Sequence, residues 1–155
     1  MNYNINADFF LTHNIFLSYE EIYYGLVNNF LDSKDALKYI DKNLENVEEI
    51  PDNITAILLL KEDELFKLKE LLKKIIDLDI YINDSKEKWV KLELFWLYKH
   101  KDSFQNVQST IDKLYSDFDY PEIIASLVSY MPVDETNLGK SLYEKWEKII
   151  KCYLL

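Results

Sequence analysis

The sequence predicts an all-α protein, and three observations carry that prediction. Glycine occurs only at Gly25 and Gly139, and proline three times in 155 residues, so hairpin turns and glycine-rich phosphate loops have almost no material. Apolar residues recur at three- and four-residue spacing along most of the chain. Short polar acceptors followed three residues later by Glu or Gln repeat along it, a pattern that satisfies the exposed N–H groups at a helix start. A composition 48% hydrophobic and 30% charged belongs to a globular chain, which at this length buries about 70% of its unfolded surface. The expectation is a single compact domain over residues 1–155, with about seven or eight helices in an irregular bundle or a short curved stack of helix pairs.

Taken in order, residues 1–17 hold Phe9, Phe10, Leu11, Ile15 and Phe16, which dock as a short helix or an irregular segment. Ser18-Tyr19-Glu20-Glu21 opens a helix with the stripe Tyr19, Ile22, Tyr23, Leu26 and Phe30. Asp32 or Ser33 opens the next, with Ala36, Leu37, Ile40 and Leu44. The apolar run from Ile54 to Leu60 is short enough for a buried strand, but no second strand exists to pair with it, which leaves a short helix. Leu65, Leu68, Leu72, Ile75 and Ile76 form a further stripe. Asp84-Ser85-Lys86-Glu87 marks the start of a helix on which Trp89, Val90, Leu92, Leu94, Phe95, Trp96 and Leu97 point in almost every direction. Such a helix is central and enclosed. Asp102-Ser103-Phe104-Gln105 opens the stripe Phe104, Val107, Ile111, Leu114 and Tyr115. Asp119, as N-cap with Pro121 in the first turn, opens Ile123, Ile124, Leu127, Val128 and Met131. Leu138, Leu142, Trp146, Ile149 and Tyr153 run down a final helix.

The charge narrows the function. Lysine supplies all 18 basic charges against 28 carboxylates, a net −10 with no arginine. General binding to nucleic acid is disfavoured, because affinity for phosphates comes from basic surfaces and bidentate readout from arginine. Residues 1–60 carry 3 lysines and 10 acids, a balance of −7, whereas residues 61–101 carry 10 and 9. An acidic first segment attracts a basic partner. The longest apolar run is far short of the roughly 20 residues that cross a bilayer, and nothing reads as a secretory leader, so a soluble cytoplasmic protein is expected.

Residue types that carry chemistry are scarce. His13 and His100 are far apart, so no paired metal-ligand spacing exists, and His100 suits the C-terminal end of the aromatic helix. Cys152, the one cysteine, reads as a small buried or half-buried apolar residue. No nucleophile elbow, zinc-protease or nucleotide-binding motif occurs, and no cofactor is expected. Asp77-Leu78-Asp79 and Asp117-Phe118-Asp119 each place two carboxylates close together, which in a loop would hold a hard cation with substrate phosphates.

The segments Leu17-Ser18-Tyr19-Glu20-Glu21-Ile22-Tyr23-Tyr24-Gly25-Leu26 and Tyr115-Ser116-Asp117-Phe118-Asp119-Tyr120-Pro121-Glu122-Ile123 resemble a family of small helical bacterial proteins, domain-of-unknown-function family 2247. Tyr130-Met131-Pro132, with Trp146 following, adds to the resemblance, which spans most of the chain. A basic residue commonly precedes Tyr-Met-Pro in that pattern, where this chain has Ser129. The resemblance implies a compact bacterial intracellular protein and no assigned activity.

The expected function is that of a non-enzymatic protein-binding module whose acidic helical surface engages a basic protein, for example an immunity protein that neutralises a bacterial toxin. Glu20, Glu21, Asp32 and Asp35 supply the charge, and Tyr24, off the apolar stripe of its helix, supplies an anchor. Asp117, Asp119 and Tyr120 are the secondary candidates. Two alternatives stand beside this reading: a metal-dependent hydrolase or phosphotransfer enzyme using Asp117 and Asp119, and a helical scaffold subunit.

Overall fold

The computed structural model describes residues 4–129 and 141–154. The Tyr130-Met131-Pro132 segment, Leu138 and Gly139 lie outside them. Every regular element among the described residues is helical, as the scarcity of glycine and the three- and four-residue spacing require. The chain forms two compact units, residues 3–85 and the residues from Lys86 onward.

The first unit contains α1 (Ala7–Thr12), α2 (Tyr19–Val27), α3 (Ser33–Asn43) and α4 (Asp52–Leu58). A 3-10 turn, Glu62–Lys67, then runs into α5 (Leu68–Lys73), and α6 (Leu78–Lys99) begins in this unit and crosses its boundary. Helix α3 packs against α1, α2, α4 and α5, and α2 lies on α5. Phe10, Ile22, Leu26, Ile40, Ile57, Leu68 and Leu72 are buried between them, each such side chain contributing roughly 1.5–3 kcal/mol. The Ile54–Leu60 run is helical as far as Leu58, with Ile54 and Ile57 turned inward.

The second unit holds the rest of α6, the 3-10 turns Lys101–Ser103 and Glu122–Leu127, α7 (Val107–Asp117), α8 (Leu142–Ile149) and α9 (Lys151–Leu154). The turn Glu122–Leu127 packs on both α7 and α8. As the all-round apolar pattern required, Trp89, Val90, Leu92, Leu94, Phe95 and Leu97 are buried. Trp96 is not: it is half-exposed, stacked on His100 at 4.2 Å and edge-on to Phe104 at 6.3 Å.

Three expected helix starts are corrected. Asp84-Ser85 lies inside α6, because Asp77 caps it earlier, its Oδ1 accepting from the N–H groups of Asp79 and Ile80 at 2.9 and 3.3 Å. The capping role thus falls on the first acid of Asp77-Leu78-Asp79. Helix α7 opens not at Asp102 but at Asn106, whose side chain accepts from Ser109 N–H, and residues 101–103 form a 3-10 turn instead. Asp119 caps nothing, since the turn Glu122–Leu127 begins at Pro121 without a side-chain cap.

Asp119 serves the preceding helix instead, as part of a device used three times among the described residues. At the ends of α1, α2 and α7, the residue after the C-cap takes a left-handed backbone: Asn14 (φ 54°), Asn29 (φ 61°) and Asp119 (φ 58°). Each time, its N–H and the following N–H turn back onto carbonyls of the last helical turn. The second bond in each case is Ile15 to Phe10 O at 2.9 Å, Phe30 to Gly25 O at 2.9 Å, and Tyr120 to Tyr115 O at 2.8 Å. Asn and Asp are the residues that best replace glycine there. Because Ala and Asp fit this conformation less well than Gly, Asp119→Gly should raise thermal stability by several tenths to about 1 kcal/mol, and Asp119→Ala should lower it. Were Asp119 an N-cap, both changes would lower it; thermal melts of the two variants decide.

Candidate functional site

Among the described residues of the first unit, three large apolar ones, Phe16, Leu59 and Phe66, are more than two-thirds exposed, and Phe16 is the one of them whose backbone neighbours are locked by buried hydrogen bonds. The chain between α1 and α2 is extended, so Ile15 and Leu17 turn inward while Phe16, between them, is 71% exposed. Tyr39 on α3 locks that alternation. Its hydroxyl donates to the Ile15 carbonyl at 2.9 Å and accepts from the Leu17 N–H at 2.8 Å, both bonds buried. Burial holds the Tyr39 hydroxyl above its ordinary value, so it stays neutral and can do both. Ser18 then starts α2 with a reciprocal cap: its hydroxyl accepts from Glu21 N–H at 3.1 Å, and the Glu21 carboxylate accepts from Ser18 N–H at 2.8 Å.

Phe16 borders two hollows. One, of about 310 Å³, is lined by Leu17, Ile22, Ile40 and Leu44 with Glu20 and Asn43 among its polar groups; the other, of about 190 Å³, reaches Phe10 and Asn14. Among the described residues, Glu20 is the one charged residue lining the larger of the two. Nearby lysines are engaged with local acids, Lys38 with Asp8 at 2.9 Å and Lys42 with Glu45 at 3.7 Å.

The residues expected to form the partner surface have specific duties. Glu20 accepts from Asp77 N–H at 3.2 Å, beside the α6 start. Tyr24 is half-buried, stacked on Phe30 at 6.1 Å and tilted against Tyr81 at 5.7 Å, with Tyr23 also on Tyr81. Burial, and next Tyr81, push its hydroxyl up. Glu21 belongs to the α2 cap described above. Asp32 caps α3 by accepting from Asp35 N–H at 2.8 Å, and Asp35 accepts from Ala7 N–H at 2.9 Å, across to α1. Burial raises the Asp35 carboxyl despite that bond. Phe16 and Tyr39 carry the site's geometry; Phe16, expected to dock with Phe9, Phe10, Leu11 and Ile15, is instead exposed, and Tyr39 lay off the expected stripe of α3, so that the run Ile15-Phe16-Leu17 was the available signal.

In the second unit, Asp117 and Tyr120 flank the α7 terminus with Asp119, all three exposed. Tyr120, at φ 57°, lies edge-on to Tyr115 at 5.3 Å. Among the described residues no group of three or more His, Cys, Asp or Glu could hold a metal ion. The His100 ring Nδ1 lies 2.7 Å from the Trp96 carbonyl at the α6 end, as its sequence position suggested. Cys152 is exposed rather than buried or half-buried, since α8 gives way to the short α9 and the inward position passes to Ile150. The Tyr98 hydroxyl donates to Glu147, which pushes its pKa up to about 12.

Ser129, in the position where the resemblance places a base, is bound to an acid. Its hydroxyl donates to Asp112 Oδ2 at 2.6 Å and its N–H to Oδ1 at 3.0 Å, while Gln108 bridges Asp112 Oδ1 to the Leu127 carbonyl at 3.0 and 2.7 Å. A profile of proteins described as uncharacterized and conserved in bacteria, domain-of-unknown-function family 2247, matches residues 7–152. The chain belongs to that family. No curated protein and no solved structure matches it. In this family member, no helix of the described residues is long and apolar enough to cross a membrane.

The Asp112 clasp makes a pH prediction. Burial alone would raise this carboxyl, but the bonds from Ser129 and Gln108 outweigh it and hold it below the ordinary carboxylate value. A depressed folded value stabilises above the unfolded pKa and is lost as pH falls through the folded one. The melting-temperature gap between wild type and Asp112→Asn should therefore be full at pH 7 and shrink below about pH 4. A gap unchanged down to pH 2 would show that the charge contributes nothing.

Proposed function

We propose that this protein is a non-enzymatic binding module of the bacterial cytoplasm that engages a basic protein through the acidic face of its first unit. The observation that carries the reading is Phe16, an exposed aromatic whose backbone neighbours are held by two buried hydrogen bonds, beside a hollow with a carboxylate and, among the described residues, no basic residue in its lining. Aromatic residues in fixed, low-entropy positions are the usual energetic anchors of protein interfaces. The −7 balance of residues 1–60 adds long-range attraction for a basic partner and accelerates encounter more than it strengthens the bound state. The specific version is an immunity protein that covers the basic surface of a toxin.

Affinity capture on immobilised wild-type protein tests this, with Phe16→Ala protein as the paired control. The expected catch is a protein of high isoelectric point, released by rising salt, competed by free wild type and retained at least tenfold less by the variant. Captured proteins that are acidic, or that bind both columns equally at all salt concentrations, would remove the basis for the reading. Glu20→Lys with Asp35→Lys should slow association with the captured partner, most visibly at low salt, in surface plasmon resonance.

A further inference from the structure

The 310 Å³ hollow beside Phe16 combines apolar side chains with polar groups, Ser18, Tyr19, Glu20 and Asn43 among them, of which Glu20 carries the charge. Its aliphatic lining is Leu17, Ile22, Ile40 and Leu44. Glu20 spends one acceptor position on the Asp77 N–H, which leaves further lone pairs on its carboxylate. Asn43 donates its amide to the Tyr39 carbonyl at 2.8 Å, so its oxygen remains an acceptor. Helix α3 ends here, at Asn43 and the C-cap Leu44, where the last carbonyls carry partial negative charge. The chain that continues from this end, residues 44–60, contains Glu45, Glu48, Glu49 and Asp52 and no lysine. The start of α2, on the hollow's other side, would favour an anion, but Glu20, Glu21 and the Ser18 hydroxyl already occupy its first turn.

Resting on the reading that the partner is a basic protein, we propose that this hollow receives one large apolar side chain, from leucine to tryptophan in size, carried on a partner segment with flanking lysines or arginines. The apolar side chain meets the aliphatic lining, the flanking cations meet Glu20, Asn43 and the end of α3, and Phe16 packs across the segment. A neutral apolar small molecule would meet the same lining but gain nothing from the Glu20 carboxylate, whereas flanking cations are attracted to it, which is why the charge pattern favours a basic segment. A segment of this kind buries its anchor centrally and leaves its charges at the margin, where they set specificity and rate.

The test is fluorescence polarisation with the full chain and three labelled peptides of about 14 residues, long enough to form an amphipathic helix. The first is an amphipathic lysine–leucine peptide; the second replaces its leucines by serine at the same charge; the third replaces its lysines by glutamine and keeps the leucines. The first is expected to bind, the second at least tenfold more weakly and the third at least threefold more weakly. Phe16→Ala should weaken the first by at least tenfold, and Glu20→Gln should weaken it about threefold and flatten its salt dependence. Both substitutions are at or near the surface, so melting temperatures should stay close to wild type. Methyl NMR shifts at Leu17, Ile22, Ile40 and Leu44 on adding the first peptide to wild-type protein report insertion without any variant. Equal binding of the first two peptides, or methyl groups that do not move, overturns insertion while the acidic-surface reading stands. Equal, salt-independent binding of the third peptide overturns the basic-partner reading and this proposal with it. Failure of the first peptide to bind overturns the insertion proposal, whereas capture of a basic partner by Phe16-dependent means would still support the broader reading.

Discussion

Trp146→Ala is expected to lower stability by about 3–5 kcal/mol, the usual cost of emptying a buried tryptophan site. The indole is wholly inaccessible to solvent, and its Nε1–H donates to the Leu94 carbonyl at 3.0 Å, joining α8 to α6 within the second unit. Tyr98 lies edge-on to it at 5.3 Å and Tyr143 stacks at 6.3 Å, so truncation leaves a cavity and strands two rings. For a chain of this length the loss corresponds to a melting shift of roughly 8–15 °C. Trp96→Ala should cost distinctly less, because half-exposed Trp96 is open on one side. Urea unfolding of both variants separates the two positions, and equal losses would place Trp96 in the core after all.

Tyr39→Phe should cost about 1–3 kcal/mol while changing a single oxygen, because it leaves a buried carbonyl at Ile15 and a buried N–H at Leu17 unpaired. The ring and its edge contact with Phe10 at 6.0 Å survive the change, so the effect isolates the hydroxyl. It should also free the 15–17 backbone and speed dissociation of any ligand that uses Phe16, with little effect on association. Chemical denaturation reads the first effect and peptide dissociation kinetics the second. A variant as stable as wild type would mean that water replaces the hydroxyl at no cost.

Much of the architecture was legible in the sequence because it depends on local rules. The Ser18–Glu21 cap, the Asp32 start of α3 and the enclosed run around Trp89–Leu97 follow from side-chain acceptors and periodicity alone. Helix starts were misread where several acids compete for one role: Asp77 takes the α6 cap and makes Asp84 redundant, and Asp119 enters a left-handed turn that an Asp tolerates as well as it caps. The same ambiguity hides the chain's glycine substitutes, since Asn14 and Asn29 look like ordinary polar residues until the backbone angle is known. Glu93, inside the apolar run of α6, is as buried as its neighbours, which periodicity alone would assign to a hydrophobic residue. The acidic character of residues 1–60 was plain from counting, but the tether of Asp35 to Ala7 and the bond of Glu20 to Asp77 are tertiary facts. Phe16 was expected to dock because its exposure depends on Tyr39, 23 residues further on in sequence, and no pattern within one element can report that.

The clamp on Phe16 also bears on how the site behaves in time. The Leu17 amide is buried against a hydroxyl that is itself in the packed interior of the first unit, so it can exchange its proton with solvent only when Tyr39 lets go. Release of Tyr39 disturbs α3, against which α1, α2, α4 and α5 all pack, so opening at this point should require much of the free energy needed to open the whole unit. Phe16 is then a surface residue with the backbone rigidity of a core one. A partner that binds it meets a conformation already selected by folding, with little motional freedom left to surrender.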